Sequence, residues 1–188
     1  MQLSLKTRTL EWLTPDLLSE FKSTARIKGD CIIEVKDEND MFLGIAASMY
    51  HKGDMDFKGS TVNCNTISLS QVIDVERFQS AFTPELNFKK ISRDQIYRFV
   101  VYHEIGHALY DPKIKNMWAS SGVDEDKTWL LKLAKELRAD RYAWKSLFPS
   151  QPLPQRPGCD AMVASVESFI IDHKDLFPEP RDPKLLPG

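Results

Sequence analysis

The segment SRDQIYRFVVYHEIGHALY, from Ser92 to Tyr110, has the clearest structural pattern in the chain. Its apolar residues recur at helical spacing, and Ser92 followed by Gln95 is typical of a capping box at a helix start. The following Asp111-Pro112 ends the pattern, because proline cannot continue the backbone hydrogen bonds of a helix. The sequence therefore predicts a helix from Ser92 to Tyr110.

Two histidines of this helix lie four residues apart, in the pentapeptide His103-Glu104-Ile105-Gly106-His107. Residues at this spacing share one helix face, with β-carbons roughly 5–6 Å apart, so both imidazoles can reach one ion. Zinc binds imidazole nitrogens at about 2.0–2.1 Å, and a catalytic zinc site has three protein ligands and an open position. The pentapeptide therefore predicts two metal ligands, His103 and His107, with a third from elsewhere in the chain.

Glu104 is predicted to act beside the metal rather than on it. The residue after His103 is rotated by about 100° around the helix and so points to one side of the ion. From there its carboxylate can take a proton from a water molecule that zinc activates, and can later deliver that proton to the leaving amine. We expect Glu104 to be the catalytic general base and acid.

A second predicted helix, from about Lys127 to Leu147, has two carboxylates four residues apart, Glu136 and Asp140. Glu136 would complete a His₂Glu site for one zinc ion per chain. Asp140 would accept the other ring N–H of a ligand histidine and so hold its tautomer. We therefore expect Glu136 on the metal and Asp140 behind it.

The two segments HEIGHALY and ELRADRYAW together resemble the gluzincin zinc metallopeptidases, in which HExxH on one helix is followed by Glu-x-x-x-Asp on a downstream helix. Within that group they look most like the minigluzincins, and the resemblance covers roughly Ser92 to Trp144. It implies an α+β, zincin-like fold with a small mixed sheet packed against the active-site helix and the ligand helix. It also implies an edge strand that aligns a peptide substrate, for which Thr61 to Leu69 is the candidate, and it allows a C-terminal segment that covers the cleft.

Three functional readings stay open. The first is a zinc metalloendopeptidase. The second is a zinc-binding regulatory module with little general activity or one dedicated protein substrate, because HEIGHALY is also similar to the ImmA-type peptidases, whose downstream motif more usually has asparagine where this chain has Asp140. The third is a metal-free protein in which the motif residues form a polar core network.

Composition and charge limit the classes of partner. The chain has 188 residues, 42% of them hydrophobic and 28% charged, and its net charge of −2 produces no field that would attract nucleic acid. The sequence has no recognisable signal peptide and no apolar run near the roughly 20 residues that span a bilayer. We expect a soluble, cytoplasmic monomer that binds a protein or peptide substrate and neither nucleic acid nor membrane. Residues 1–174 are predicted as one domain and 175–188 as an extended or disordered tail.

Further elements follow from local signals. A helix is predicted from Pro15 to about Ile27 with Thr14 as its N-cap, and further helices around Val72 to Phe78 and from Cys159 to His173. Cys31–Val35 and Met41–Ile45 are predicted as a hairpin, and His51–Ser60 as a loop. Gly106 indicates close approach by another backbone or by a substrate, and a simple helix–helix contact explains it equally well. Ala139 would permit close helix packing. Cys159 is expected to be a buried structural cysteine. The donor for the oxyanion stays open among Tyr102, Tyr110, Arg138, Arg141, Tyr142, His51 and His173.

Overall fold

The protein has an α+β fold, as predicted. The computed structural model describes residues 9–36, 46–52, 54, 61, 63–110 and 125–177. Within these residues the helices are α1 (Pro15–Gly29), α2 (Val75–Ser80), α3 (Ile96–Tyr110), α4 (Glu125–Leu147) and α5 (Asp160–Asp172). The strands are β1 (Leu10–Trp12), β2 (Ile32–Lys36), β3 (Ala47–Tyr50), β4 (Thr66–Ser70) and β5 (Val72–Asp74).

The larger sheet is mixed and has the strand order β2-β4-β3, with β2 parallel and β3 antiparallel to β4. β4 is therefore its central strand, and the prediction that Thr61–Leu69 forms an edge strand is wrong. The alternation of polar residues in this segment suggests an edge strand. The polar side chains of β4 are buried instead, and two of them form hydrogen bonds to nearby backbone carbonyls. The Thr66 hydroxyl donates to the carbonyl of Cys64, and the Ser70 hydroxyl donates to the carbonyl of Val72.

The smaller sheet pairs β1 with β5 in antiparallel register. Val72 belongs to β5, so the helical spacing around it was misread, and the helix begins only at Val75. Asp74 caps this helix, because its carboxylate accepts the backbone N–H of Arg77 at 3.0 Å. β1 itself was not predicted.

Helix α3 is the central element of the fold. It packs against α1, α4 and the mixed sheet, so buried residues occur on nearly all its faces. Its start differs from the prediction: Arg93–Gln95 is a 3₁₀ turn, and Ser92 makes no capping hydrogen bond through its side chain. The helix is described as far as Tyr110, and the Asp111-Pro112 stop signal lies outside the described residues, so its predicted end stays a prediction.

Two apolar clusters lie on either side of α4. The larger one surrounds α3 and includes Trp144 of α4; the smaller one joins the first half of α4 to α5. Cys159 is buried in the smaller cluster, as expected of a structural cysteine. Phe177 packs there too, whereas residues 178–188 lie outside the described residues. The limits of the predicted domain and tail stay predictions.

Other local predictions have mixed outcomes. Helix α1 is confirmed with its cap, because the Thr14 hydroxyl accepts the backbone N–H of Leu17 at 3.3 Å. The first strand of the predicted hairpin is β2, but Met41–Ile45 and most of His51–Ser60 lie outside the described residues. The last predicted helix is confirmed as α5. No helix in the described part of the chain has the length and apolar character needed to cross a membrane.

Candidate metal centre

Three predicted ligands converge where α3 faces α4. The Nε2 atoms of His103 and His107 are 3.0 Å apart. The Glu136 carboxylate lies 3.3 Å from His103 Nε2 through one oxygen and 3.6 Å from His107 Nε2 through the other. Ligand atoms of a tetrahedral zinc site with metal distances of about 2.0–2.1 Å are about 3.3 Å apart. These three residues therefore form a group that could hold a metal ion.

The close crossing of α3 and α4 brings the ligands together. A Cβ atom added to Gly106 would lie 2.9 Å from the Cα of Ala139. Real Cβ atoms do not approach backbone this closely, so only glycine allows the two helices to pack at this distance. Gly106 lies just before His107, and Ala139 lies between Glu136 and Asp140. Gly106 therefore allows the close contact between the two helices. The sequence alone explains this glycine equally well by a helix contact or by the approach of a substrate.

Asp140 contacts the ring of His103 on the side away from Glu136 and His107. Its carboxylate is 2.9 Å from His103 Nδ1, and Asp140 is 2% exposed. A carboxylate at this position accepts the Nδ1–H and leaves the Nε2 lone pair of the imidazole for a metal. In a neutral His103 this contact would favour the tautomer with the proton on Nδ1, the one that a metal at Nε2 requires.

The pKa values in the centre follow from burial and close charges. Burial by itself lowers the pKa of His103, but hydrogen bonds to Asp140 and Glu136 outweigh it and raise that pKa well above its ordinary value. For Glu136, burial favours a higher pKa, yet the two imidazoles bring the pKa well below its usual range. Burial raises the pKa of Asp140, although its bond to His103 opposes that shift. The lowered pKa of Glu136 favours its ionised form, the form that binds a cation.

A cleft of about 210 Å³ opens beside the centre. His103, Glu104, Glu136 and Asp140 line one part of it, so the predicted general base shares this cleft with two of the predicted ligands. Glu104 is only 6% exposed. Glu104 is thus a buried carboxylate that lines the same cleft as His103 and Glu136.

The rest of the cleft is mainly apolar and was not predicted. Its residues come from α2, from the segment that follows it and from the first half of α3: Phe78, Ala81, Phe82, Thr83, Pro84, Phe88, Phe99 and Val100. Phe88 stacks on Phe78 with ring centroids 4.8 Å apart and meets Phe99 edge-on at 5.2 Å. The sequence shows these aromatic residues as ordinary core candidates, and only their tertiary arrangement shows that they form a wall.

The seven candidates for the oxyanion donor are absent from the described residues that line this cleft. Several have other contacts. Arg141 binds Glu85 and Glu167, and the guanidinium of Arg138 lies 4.2 Å from the ring centroid of Tyr110. The lining of the cleft therefore favours none of the seven as the oxyanion donor.

Comparison of the chain with protein-family models, curated proteins and solved structures found no match. A functional argument for this protein therefore depends on the chemistry and geometry of the centre itself.

Proposed function

We propose that the protein is a zinc-dependent metalloendopeptidase that acts on protein or peptide substrates as a cytoplasmic monomer. The observation that carries this proposal is the triangle of His103, His107 and Glu136, with Asp140 bonded to His103 and Glu104 in the same cleft. The gluzincin resemblance of the two sequence segments adds support. An apolar cleft beside the triangle is suited to a peptide, whose side chains are often apolar.

The proposed chemistry assigns one task to each group. Zinc, when bound, would supply Lewis acidity that lowers the pKa of water and polarises the scissile carbonyl. Glu104 would accept the proton of the attacking water and donate it to the nitrogen of the leaving amine. Asp140 would hold the His103 ring in place through Nδ1.

The first experiment measures zinc in protein purified without chelators. We expect about one zinc ion per chain for the wild type and a large loss for His103→Ala, because that variant removes a ligand from a three-ligand site. Less than about half an equivalent of zinc in the wild type would favour the metal-free reading. The same assay on an exposed variant away from the centre, Asp172→Ala, controls for handling of the samples.

The second experiment separates metal binding from catalysis. Glu104→Gln keeps a side chain of nearly the same shape, so we expect it to retain zinc and to cleave an unfolded protein substrate at least about 100-fold more slowly. Full activity in this variant would overturn the assigned mechanism. A wild type that binds zinc and leaves unfolded proteins intact would favour the regulatory module.

A further inference from the structure

An arginine lies against the aromatic wall of the cleft. The guanidinium of Arg156 lies over the ring of Phe82, 5.1 Å from its centroid. Phe82 lines the cleft and is 61% exposed, unlike most large apolar residues of the protein. We call Phe82 and Arg156 together the cleft rim. The rim thus combines an open aromatic face with a positive charge.

The backbone holds Arg156 in this position. Its N–H donates to the carbonyl of Glu85 at 2.7 Å, and its own carbonyl accepts the N–H of Cys159 at 3.3 Å. An antiparallel bridge between Leu86 and Gln155 ties the same two segments together. The backbone at Arg156 is therefore tied to the segment that continues from the cleft wall. Its side chain does not line the cleft but lies over Phe82, which does.

The neighbouring arginine differs in its charge partners. Arg141 binds two carboxylates, those of Glu85 and Glu167. Within the part of the chain that the structure describes, Arg156 forms no ion pair, and its Nε is buried without a hydrogen-bond partner. The Nε atom has no surface that a ligand could reach, so a ligand carboxylate would bind the two terminal nitrogens of the guanidinium, which can donate parallel hydrogen bonds to its oxygens.

We propose that Arg156 binds a carboxylate of the substrate while an adjacent part of the peptide lies in the apolar cleft. The inference rests on the proposed function, because that function makes the ligand a peptide. The carboxylate can belong to an aspartate or glutamate side chain or to the C-terminus of the substrate. Arg156 is then a specificity residue, separate from Glu104 and from the metal ligands.

The test measures peptide binding without cleavage. The zinc-loaded Glu104→Gln protein is titrated with fluorescently labelled pentapeptide amides that have a central phenylalanine and glutamate, glutamine or lysine at one flanking position in turn. A second arm compares a phenylalanine-ending peptide as free acid and as amide. We expect about tenfold tighter binding of the carboxylate form in at least one arm, and the arm that shows it identifies the source.

Variants of the rim assign the preference to Arg156. Arg156→Gln should abolish it, Arg156→Lys should retain part of it, and Arg156→Glu should favour the lysine peptides. Arg26→Gln, an exposed arginine of α1, removes the same charge elsewhere and should leave the preference unchanged. The proposal would be overturned if the protein that retains Arg156 binds charged and neutral peptides equally well. It would also be overturned if Arg156→Gln keeps the preference for the carboxylate peptides.

Failure of this inference differs from failure of the proposed function. Circular dichroism and zinc content of each variant show whether it folds and keeps its metal. If the protein with Glu104 cleaves the neutral and acidic peptides equally well, the peptidase proposal stands and the role of Arg156 is lost. If peptides bind with an Arg156-dependent preference but none is cleaved, the rim proposal stands and the catalytic one is lost.

Discussion

Among single residues, Asp140 has the clearest link between position and chemistry. It is buried on α4, and its carboxylate lies 2.9 Å from Nδ1 of His103. The residue does not belong to the ligand triangle, but it determines which imidazole nitrogen faces that triangle. Its effect on a metal at the proposed site would therefore pass through the orientation and basicity of His103.

We predict that Asp140→Ala weakens zinc binding by about 10–100-fold, because His103 loses the acceptor that holds its ring. Asp140→Asn should lose less, since an amide oxygen can still accept the Nδ1–H. Zinc dissociation constants from competition with a chelating dye measure both effects. Asp172→Ala, an exposed carboxylate of α5, is the control, and unchanged affinity in Asp140→Ala would contradict the assigned role.

Among elements, the contact between α3 and α4 determines whether the centre can form. His103 and His107 are placed by α3, and Glu136 is placed by α4. The two helices approach most closely at Gly106 and Ala139. A side chain at position 106 would push the two helices apart and so increase the distance from Glu136 to the two histidines.

We predict that Gly106→Ala lowers the free energy of unfolding by about 1–3 kcal/mol, although alanine favours helix over glycine. The new methyl group would meet backbone at Ala139, so the helices must separate and Glu136 must move away from the histidines. Zinc affinity should fall in the same variant. Chemical denaturation and the zinc competition assay measure the two effects.

Gly29→Ala is the matched control for this prediction. A Cβ atom at Gly29 would lie 3.1 Å from the Sγ of Cys31, which is a side-chain atom rather than backbone. The loss of stability should be smaller and zinc affinity should be unchanged. Wild-type stability and wild-type zinc affinity in Gly106→Ala would show that the crossing is not the constraint described above.

At the scale of the whole molecule, one ionic network joins three parts of the chain. Arg141 of α4 makes two hydrogen bonds to Glu85, at 2.6 and 3.0 Å, and one to Glu167 of α5 at 2.7 Å. Glu85 is 5% exposed and also accepts a hydrogen bond from Gln155. The network thus connects the segment that continues from the cleft wall to both C-terminal helices.

We predict that Arg141→Met lowers the free energy of unfolding by about 2 kcal/mol, because the buried carboxylate of Glu85 loses its main partner. Denaturant unfolding measures the change. Glu167→Gln, whose side chain is about half exposed, is the control and should cost less than about 1 kcal/mol. An Arg141→Met protein as stable as the wild type would show that the network contributes little.

The sequence predicted the helical elements better than the sheets. Helix α1 with its Thr14 cap and helix α5 both have local signals, because helix hydrogen bonds and caps join residues close in sequence. The central position of β4 has no such signal. The partners of β4 lie on other segments, and its buried polar residues imitate the alternation of a solvated strand.

The pairing of residues within each helix, His103 with His107 and Glu136 with Asp140, follows from the sequence, because the helical repeat puts residues four apart on one face. That these pairs meet at the contact of Gly106 with Ala139 follows from the packing of α3 on α4. Only the tertiary structure shows that Arg156 lies over Phe82. Both arrangements depend on packing between distant segments, and local periodicity holds no information about such packing.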